Sequence, residues 1–299
     1  MSELRIATRR SPLALRQAES VRERLASLGV ASRLVAIETS GDRRLDVPLA
    51  AMGGQGVFAA EVQRAVLAGE ADVAVHSAKD LPSTPPDGLV LACVSERRDP
   101  ADALVGRSLA GLGPGATVAT GSPRRRALLL ERRPDLNVVG LRGNMATRLG
   151  SVGRDGIDAV IAAIAALERL GATDLVAERL DPTWFIPQVG QGALALETRA
   201  NDDVVLERLY AMNDHEAFAA VSAERAFLAE LGAGCAIPAG ALARVDGGVL
   251  SIAGVMIGVD GATSVRATRA GEDPLKVGAA LARHLRDECH GAELPGWEP

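Results

Sequence analysis

The segment Val73-Ala-Val-His-Ser-Ala-Lys-Asp-Leu-Pro82 gathers the residues best suited to chemistry. Val73 and Val75 alternate as in a strand, and the run ends in His76, Ser77, Lys79 and Asp80 before Pro82 turns the chain. Open α/β sheets keep their reactive groups at such strand ends. Of the 33 Lys and Arg residues only Lys79 and Lys276 are lysines. A compact ammonium beside Asp80 is therefore a selective choice over a guanidinium fork. On these residues alone, a surface ion pair between Lys79 and Asp80 is an equal reading.

Three arginine-bearing segments share one design: Ala7-Thr-Arg-Arg-Ser-Pro-Leu13, Ala119-Thr-Gly-Ser-Pro-Arg-Arg-Arg126 and Leu141-Arg-Gly-Asn-Met-Ala-Thr-Arg148. Each places small polar residues at a helix start, where free N–H groups and the helix dipole attract anions. Guanidinium groups add paired hydrogen bonds to carboxylates. Together they point to a small ligand with several carboxylates or phosphates, held between two halves of the chain. Phosphate-loop, dinucleotide, nucleophile-elbow and His-Glu-x-x-His patterns are absent. Of the three cysteines, Cys93 sits in an apolar run and reads as core, and Cys289 in a charged helix. Cys235 stands between Gly234 and Ala236, accessible as a nucleophile or an attachment point. None has metal-ligand spacing, so no metal is expected. His76 reads as packing or structural, and His215, His284 and His290 as helix-surface residues.

The elements that must position these groups follow from periodicity. Strands are expected at Leu4 to Thr8, Leu34 to Ile37, Asp72 to His76 and Leu89 to Val94. Ser11-Pro12 opens a helix with Leu15, Ala18, Val21, Leu25 and Leu28 on its apolar face, stopped at Gly29. Another helix is expected from Val57 to Ala68. The polar run Ser95 to Pro100 reads as a crossover. A second α/β pattern follows, with strands at Thr117 to Thr120, Asn137 to Leu141 and Ile157 to Ile164, and helices at Pro123 to Arg132 and Asn144 to Val152. Val189 to Glu197 reads as a return strand. The alternation implies parallel sheets covered on both faces. Beyond a helix at His215 to Leu231 the character changes to β-rich stretches, Val249 to Val259 and Thr263 to Thr268, with a last helix from Pro274 to Cys289. The fold class is thus α/β, with two doubly wound halves and a smaller C-terminal α+β domain. Domain 1 is assigned to 1–97 plus 193–212, domain 2 to 98–192 and domain 3 to 213–299. Ser40 to Gly56 has no periodicity and reads as a lid.

A chain of 299 residues with 47% hydrophobic and 24% charged residues is ordinary for several globular domains. Its net charge of −5 and 2% aromatic content argue against nucleic acid as a partner. No apolar run is long enough to span a membrane, and the start lacks a signal-peptide pattern. An odd number of cysteines favours a reducing cytoplasm.

Taken together, Leu4-Arg-Ile-Ala-Thr-Arg9, His76 to Pro82, Thr120-Gly-Ser-Pro-Arg-Arg125, Leu141-Arg-Gly-Asn144, Gly190-Gln-Gly-Ala193 and Gly234-Cys235 resemble the porphobilinogen deaminase (hydroxymethylbilane synthase) family over nearly the whole chain. The resemblance implies two periplasmic-binding-protein-like domains and a smaller third. It also implies a dipyrromethane cofactor joined by a thioether to Cys235. Four porphobilinogen molecules would add head to tail, each losing ammonia, before water releases hydroxymethylbilane. Asp80 would serve as proton shuttle and counter-charge to the azafulvenium cation. Arg9, Ser11, Ser77, Lys79, Thr120, Ser122, Arg124, Arg125, Arg142 and Arg148 would bind carboxylates of cofactor or substrate, as would Arg169 and Gln191. Lys79 and Asp80 would then point at different parts of one ligand.

The loop departs from the family pattern, with Ala51 and Gln55 where lysines are common, which puts lid contacts in doubt. Phe58 remains to stack on a pyrrole, and Asp42 and Asp46 to order the lid. A monomer is the family expectation. The competing reading is a two-lobed periplasmic-type binding module for a small polycarboxylate. Cys235 and the third domain count against it.

Overall fold

The protein is described from a computed structural model that covers residues 3–39, 59–232 and 237–297. Phe58, Cys235 and the loop from Ser40 to Gly56 lie outside the described residues, as do the expectations placed on them.

The first sheet opens with β1 (Leu4–Arg9), α1 (Pro12–Ser27), β2 (Ser32–Ile37), α2 (Ala60–Leu67) and β3 (Val73–Ser77). Helix α1 starts as its Ser-Pro signal requires: Ser11 is extended and its Oγ accepts from the Ala14 N–H, with Pro12 in the first turn. Its buried face is Ala14, Gln17, Ala18, Val21 and Leu25. Leu28 was expected on that face but is 46% exposed, because the helix ends at Ser27 and Gly29 (φ 75°) turns the chain away.

Strand β4 (Leu89–Arg97) continues through the polar Ser95 to Arg97, so the crossover starts at Arg98. The second sheet contains β5 (Asp102–Val105), β6 (Thr117–Ala119), α3 (Pro123–Arg132), β7 (Asn137–Val139), α4 (Met145–Leu149), β8 (Ala159–Ala163), α5 (Ile164–Leu170) and β9 (Val176–Arg179). The chain then returns through β10 (Ala193–Arg199) to the first sheet. Strand orders are β2-β1-β3-β10-β4 and β7-β6-β8-β5-β9.

The sheets are mixed, which corrects the parallel expectation. β10 runs antiparallel to β3 and β4, and β5 antiparallel to β8 and β9. Each of these strands follows a crossover and enters its new sheet from the opposite end. Their short apolar runs, Asp-Ala-Leu-Val and Ala-Leu-Ala-Leu, carry no sign of direction.

The third sheet packs beneath the other two. After α6 (Asp203–Tyr210) and α7 (His215–Glu230), β11 (Ala239–Asp246), β12 (Val249–Ile257) and β13 (Ser264–Gly271) form an antiparallel meander, closed by α8 (Pro274–Arg283). Phe227 of α7 and Leu281 of α8 join Ile252 and Met256 of β12 in one buried cluster. Each such side chain contributes on the order of 2 kcal/mol by leaving water. Cys93 is fully buried in the first core, and burial pushes its thiol up to about 12. Cys289 packs partly on the third core, 3.6 Å from His284 Nε2. No described helix is long and apolar enough to cross a membrane.

Candidate functional site

Strand β3 delivers its polar residues to the C-terminal edge of the first sheet, where Ala78–Asp80 make a single 3-10 turn. The alternation separates them. His76 faces the interior, with Nε2 3.3 Å from Glu197 Oε2, a carboxylate that also accepts from Gln63 Nε2 at 2.8 Å. Ser77 accepts from Gln17 Nε2 at 2.8 Å, which ties the strand end to α1. Lys79 and Asp80 are half-buried at the tip.

The return crossover wraps this tip. Gln188 Nε2 donates to the Lys79 carbonyl at 3.2 Å, and Gln191 Oε1 accepts from Lys79 Nζ at 3.3 Å. Two glycines make the approach possible. A Cβ on Gly190 (φ 73°) would lie 3.0 Å from the Lys79 nitrogen, and one on Gly192 (φ 90°) 2.4 Å from the Arg98 carbonyl oxygen. The Gly-Gln-Gly-Ala run therefore exists to bring one amide against Lys79.

From the second sheet, α3 starts at Ser122, whose Oγ accepts from the Arg125 N–H at 3.4 Å. Arg124 and Arg125 turn inward onto Asp102, a fully buried carboxylate that the sequence reading did not single out. Arg124 Nη2 and Arg125 Nη2 each donate to it at 2.6 Å, and Arg125 Nε at 3.1 Å. Burial opposes the charge of Asp102, but Arg125 and Arg124 together hold its carboxyl well below the usual carboxylate range. Arg124 Nη1 also donates to the Ile186 carbonyl at 2.6 Å, and with 2% exposure it faces the protein. Arg169 is likewise engaged, donating to Glu96 at 3.0 Å and to the Gly192 carbonyl at 2.8 Å.

Arg148 on α4 donates from Nε to the Gly143 carbonyl at 2.9 Å. Burial lowers its pKa, and so does the neighbouring charge of Arg125, while Asp80 favours its cation. Lys79 feels the same groups: burial and Arg125 push its ammonium down to about 8, against the pull of Asp80 and Asp102. Lys79, Asp80, Arg125, Arg148, Asp102 and Gln191 thus form one electrostatic cluster at facing strand ends of the two sheets. Arg142 is exposed beside Arg148, and Thr120 is buried with its Oγ accepting from the Ser122 N–H. Arg9 and Ser11 stand at the matching edge of the first sheet.

A crevice beside this cluster is lined by Ser122, Arg124, Gln188, Val189, Leu228, Ile237 and Ala239. Ile237 lies two residues beyond Cys235. No group of three or more His, Cys, Asp or Glu side chains among the described residues is arranged to hold a metal.

Residues 4–207 match the family described as "Porphobilinogen deaminase, dipyromethane cofactor binding domain", and residues 218–287 match "Porphobilinogen deaminase, C-terminal domain". The chain belongs to the porphobilinogen deaminase family. Curated porphobilinogen deaminases agree along their length. That of Roseiflexus castenholzii is 46% identical, covering 99% of this chain and 99% of its own. That of Syntrophotalea carbinolica is 47% identical over 90% of this chain and 87% of its own. That of Geobacter sulfurreducens is 45% identical over 95% and 92%.

The activity is therefore that of a porphobilinogen deaminase with a dipyrromethane-binding region, as the motifs imply, and the binding-module reading falls. Among solved structures, the methionine-binding protein MetQ aligns with 70% of this chain and 89% of its own, at TM-score 0.45 and 14% identity. The VFT2 domain of Bordetella pertussis BvgS aligns with 70% and 86%, at TM-score 0.43 and 17% identity.

Proposed function

We propose that porphobilinogen is condensed in the cleft bordered by Lys79, Asp80, Arg125 and Arg148, on a dipyrromethane attached through a thioether to Cys235. The observation that carries this reading is the convergence of two cations from opposite sheets, Lys79 and Arg148, on one half-buried carboxylate, Asp80, with Arg125 beside both cations. Dipyrromethane carries two acetates and two propionates, and the donors present suit such a group: an ammonium, guanidinium forks and the hydroxyls of Ser122 and Thr120. The crevice between Ser122 and Ile237 supports an anchor at Cys235. When bound, the dipyrromethane supplies the free pyrrole α-carbon at which the first porphobilinogen is joined.

The chain's own groups divide the work. Lys79, Arg125, Arg148 and Arg142 hold acetate and propionate groups, with Arg9, Ser11 and Ser77 serving from the first sheet. Asp80 gives a proton to the leaving amine of porphobilinogen and so releases ammonia. Its carboxylate then faces the cation left on the substrate and takes the proton from the attacked α-carbon. Four such rounds and a hydrolysis give hydroxymethylbilane. Arg124 and Arg169 act by fastening the second sheet and the crossover, and Asp102 and Gln191 by orienting Arg125 and Lys79.

Intact mass of the purified chain tests the attachment. The wild-type protein should carry the mass of two pyrrole units, and Cys235→Ser should lack it. An unmodified wild-type chain with full activity would overturn the thioether assignment.

A further inference from the structure

Gln191 is fully buried, and its side chain binds four residues from three separate stretches of chain. Its Nε2 donates to the Pro100 carbonyl at 2.7 Å and to Asp102 Oδ1 at 2.8 Å. Both amide hydrogens are thus engaged on one side, so Oε1 faces the other. There it accepts from Lys79 Nζ at 3.3 Å and from Arg125 Nη2 at 3.4 Å. Asp102 cannot swing to release the amide, because Arg124 and Arg125 grip both its oxygens. Orientation therefore passes from Asp102 on β5 through Gln191 to Lys79 on the opposite sheet.

The charge around Lys79 explains why an acceptor is needed there. Arg125 on α3 and Arg148 on α4 oppose its ammonium, as does burial, while Asp80 on its own turn and Asp102 on β5 favour it. A carbonyl oxygen aimed at Nζ stabilises the charged form without adding a charge that would compete with a bound carboxylate. We infer that Gln191 is a positioning residue that keeps Lys79 an ammonium and points it into the cleft, its amide locked by Asp102 and Pro100. The functional meaning rests on Lys79 as a carboxylate holder, but the protonation of Lys79 is measurable without any substrate.

The composition offers a direct test. With two lysines in the chain, protein labelled with [13C]lysine shows two ε-methylene signals, from Lys79 and the exposed Lys276, and Lys276→Arg assigns them. Gln191→Met keeps the length of the side chain and removes the acceptor. It should lower the Lys79 titration midpoint by about one pH unit. Gln191→Glu is the conservative control: its carboxyl faces the Asp102 carboxylate and is held protonated, so it donates to Asp102, leaves its carbonyl oxygen for Lys79, and should keep the midpoint near wild type. Lys276 should not move, and circular dichroism confirms that each variant is folded. A fold-level disturbance would move both variants alike. A wild-type midpoint in folded Gln191→Met, or the same fall in both variants, would overturn the positioning role. A fall in Gln191→Met alone, together with an unchanged KM for porphobilinogen in Lys79→Ala, would uphold it and remove Lys79 from substrate binding.

Discussion

Asp80 and Lys79 leave one 3-10 turn and enter different company. Lys79 is received by Gln191, while the charge of Asp80 also favours the cation of Arg148 from the second sheet. The amide of Asn in place of Asp80 would keep the shape and lose both the proton and the negative charge. Ammonia release by folded Asp80→Asn should fall at least about a hundredfold. A near wild-type rate in a colorimetric ammonia assay would remove Asp80 from the chemistry. The Lys-Asp pair was readable because it stands in sharp contrast at a strand end. Asp102 was not, since it heads a four-residue apolar run and its partners lie 22, 23 and 89 positions away. An acid opening an apolar strand after Pro100 was the one available signal.

At the level of elements, local rules placed the helix starts well. Ser11, Ser122 and Asn144 each cap a helix through a side-chain oxygen, and each cap was written in the sequence beside arginine. The crossovers were less visible, because their conformations answer to the distant backbone they press against. Gly192 is the clearest case, with a left-handed φ and the Arg98 carbonyl where a Cβ would sit. Gly192→Ala should lower stability by about 2 kcal/mol or more, read as an earlier midpoint in urea unfolding. An unchanged midpoint would show that the crossover can relax. Strand direction was equally hidden: buried runs such as Ala159–Ala163 look alike in either orientation.

For the whole molecule, Glu224 ties the first and third sheets to the return crossover. It is fully buried on α7, receives Arg97 of β4 through Nη1 at 2.7 Å and Nη2 at 3.2 Å, and accepts from the backbone N–H groups of Gly190 at 2.7 Å and Ala243 at 2.8 Å. One carboxylate thus binds the first sheet, the return crossover and the third sheet. Glu224→Ala would leave a half-buried guanidinium and two buried N–H groups unmatched. It should cost about 3–5 kcal/mol, with faster amide hydrogen exchange at Gly190 and Ala243 than elsewhere in their elements. Uniform exchange across both amides would mean that the clamp is local to α7.

The sequence by itself determined the chemistry on offer: a lysine-aspartate strand end, three capped arginine segments, and motif order sufficient to state the family. Those signals are local, because caps, turns and residue type act within a few positions. Tertiary structure alone decided which arginines face inward, that both sheets are mixed, and that Asp102, Gln191 and Glu224 hold the parts together. These depend on contacts between residues far apart in the chain, where burial makes a polar group's choice of partner compulsory.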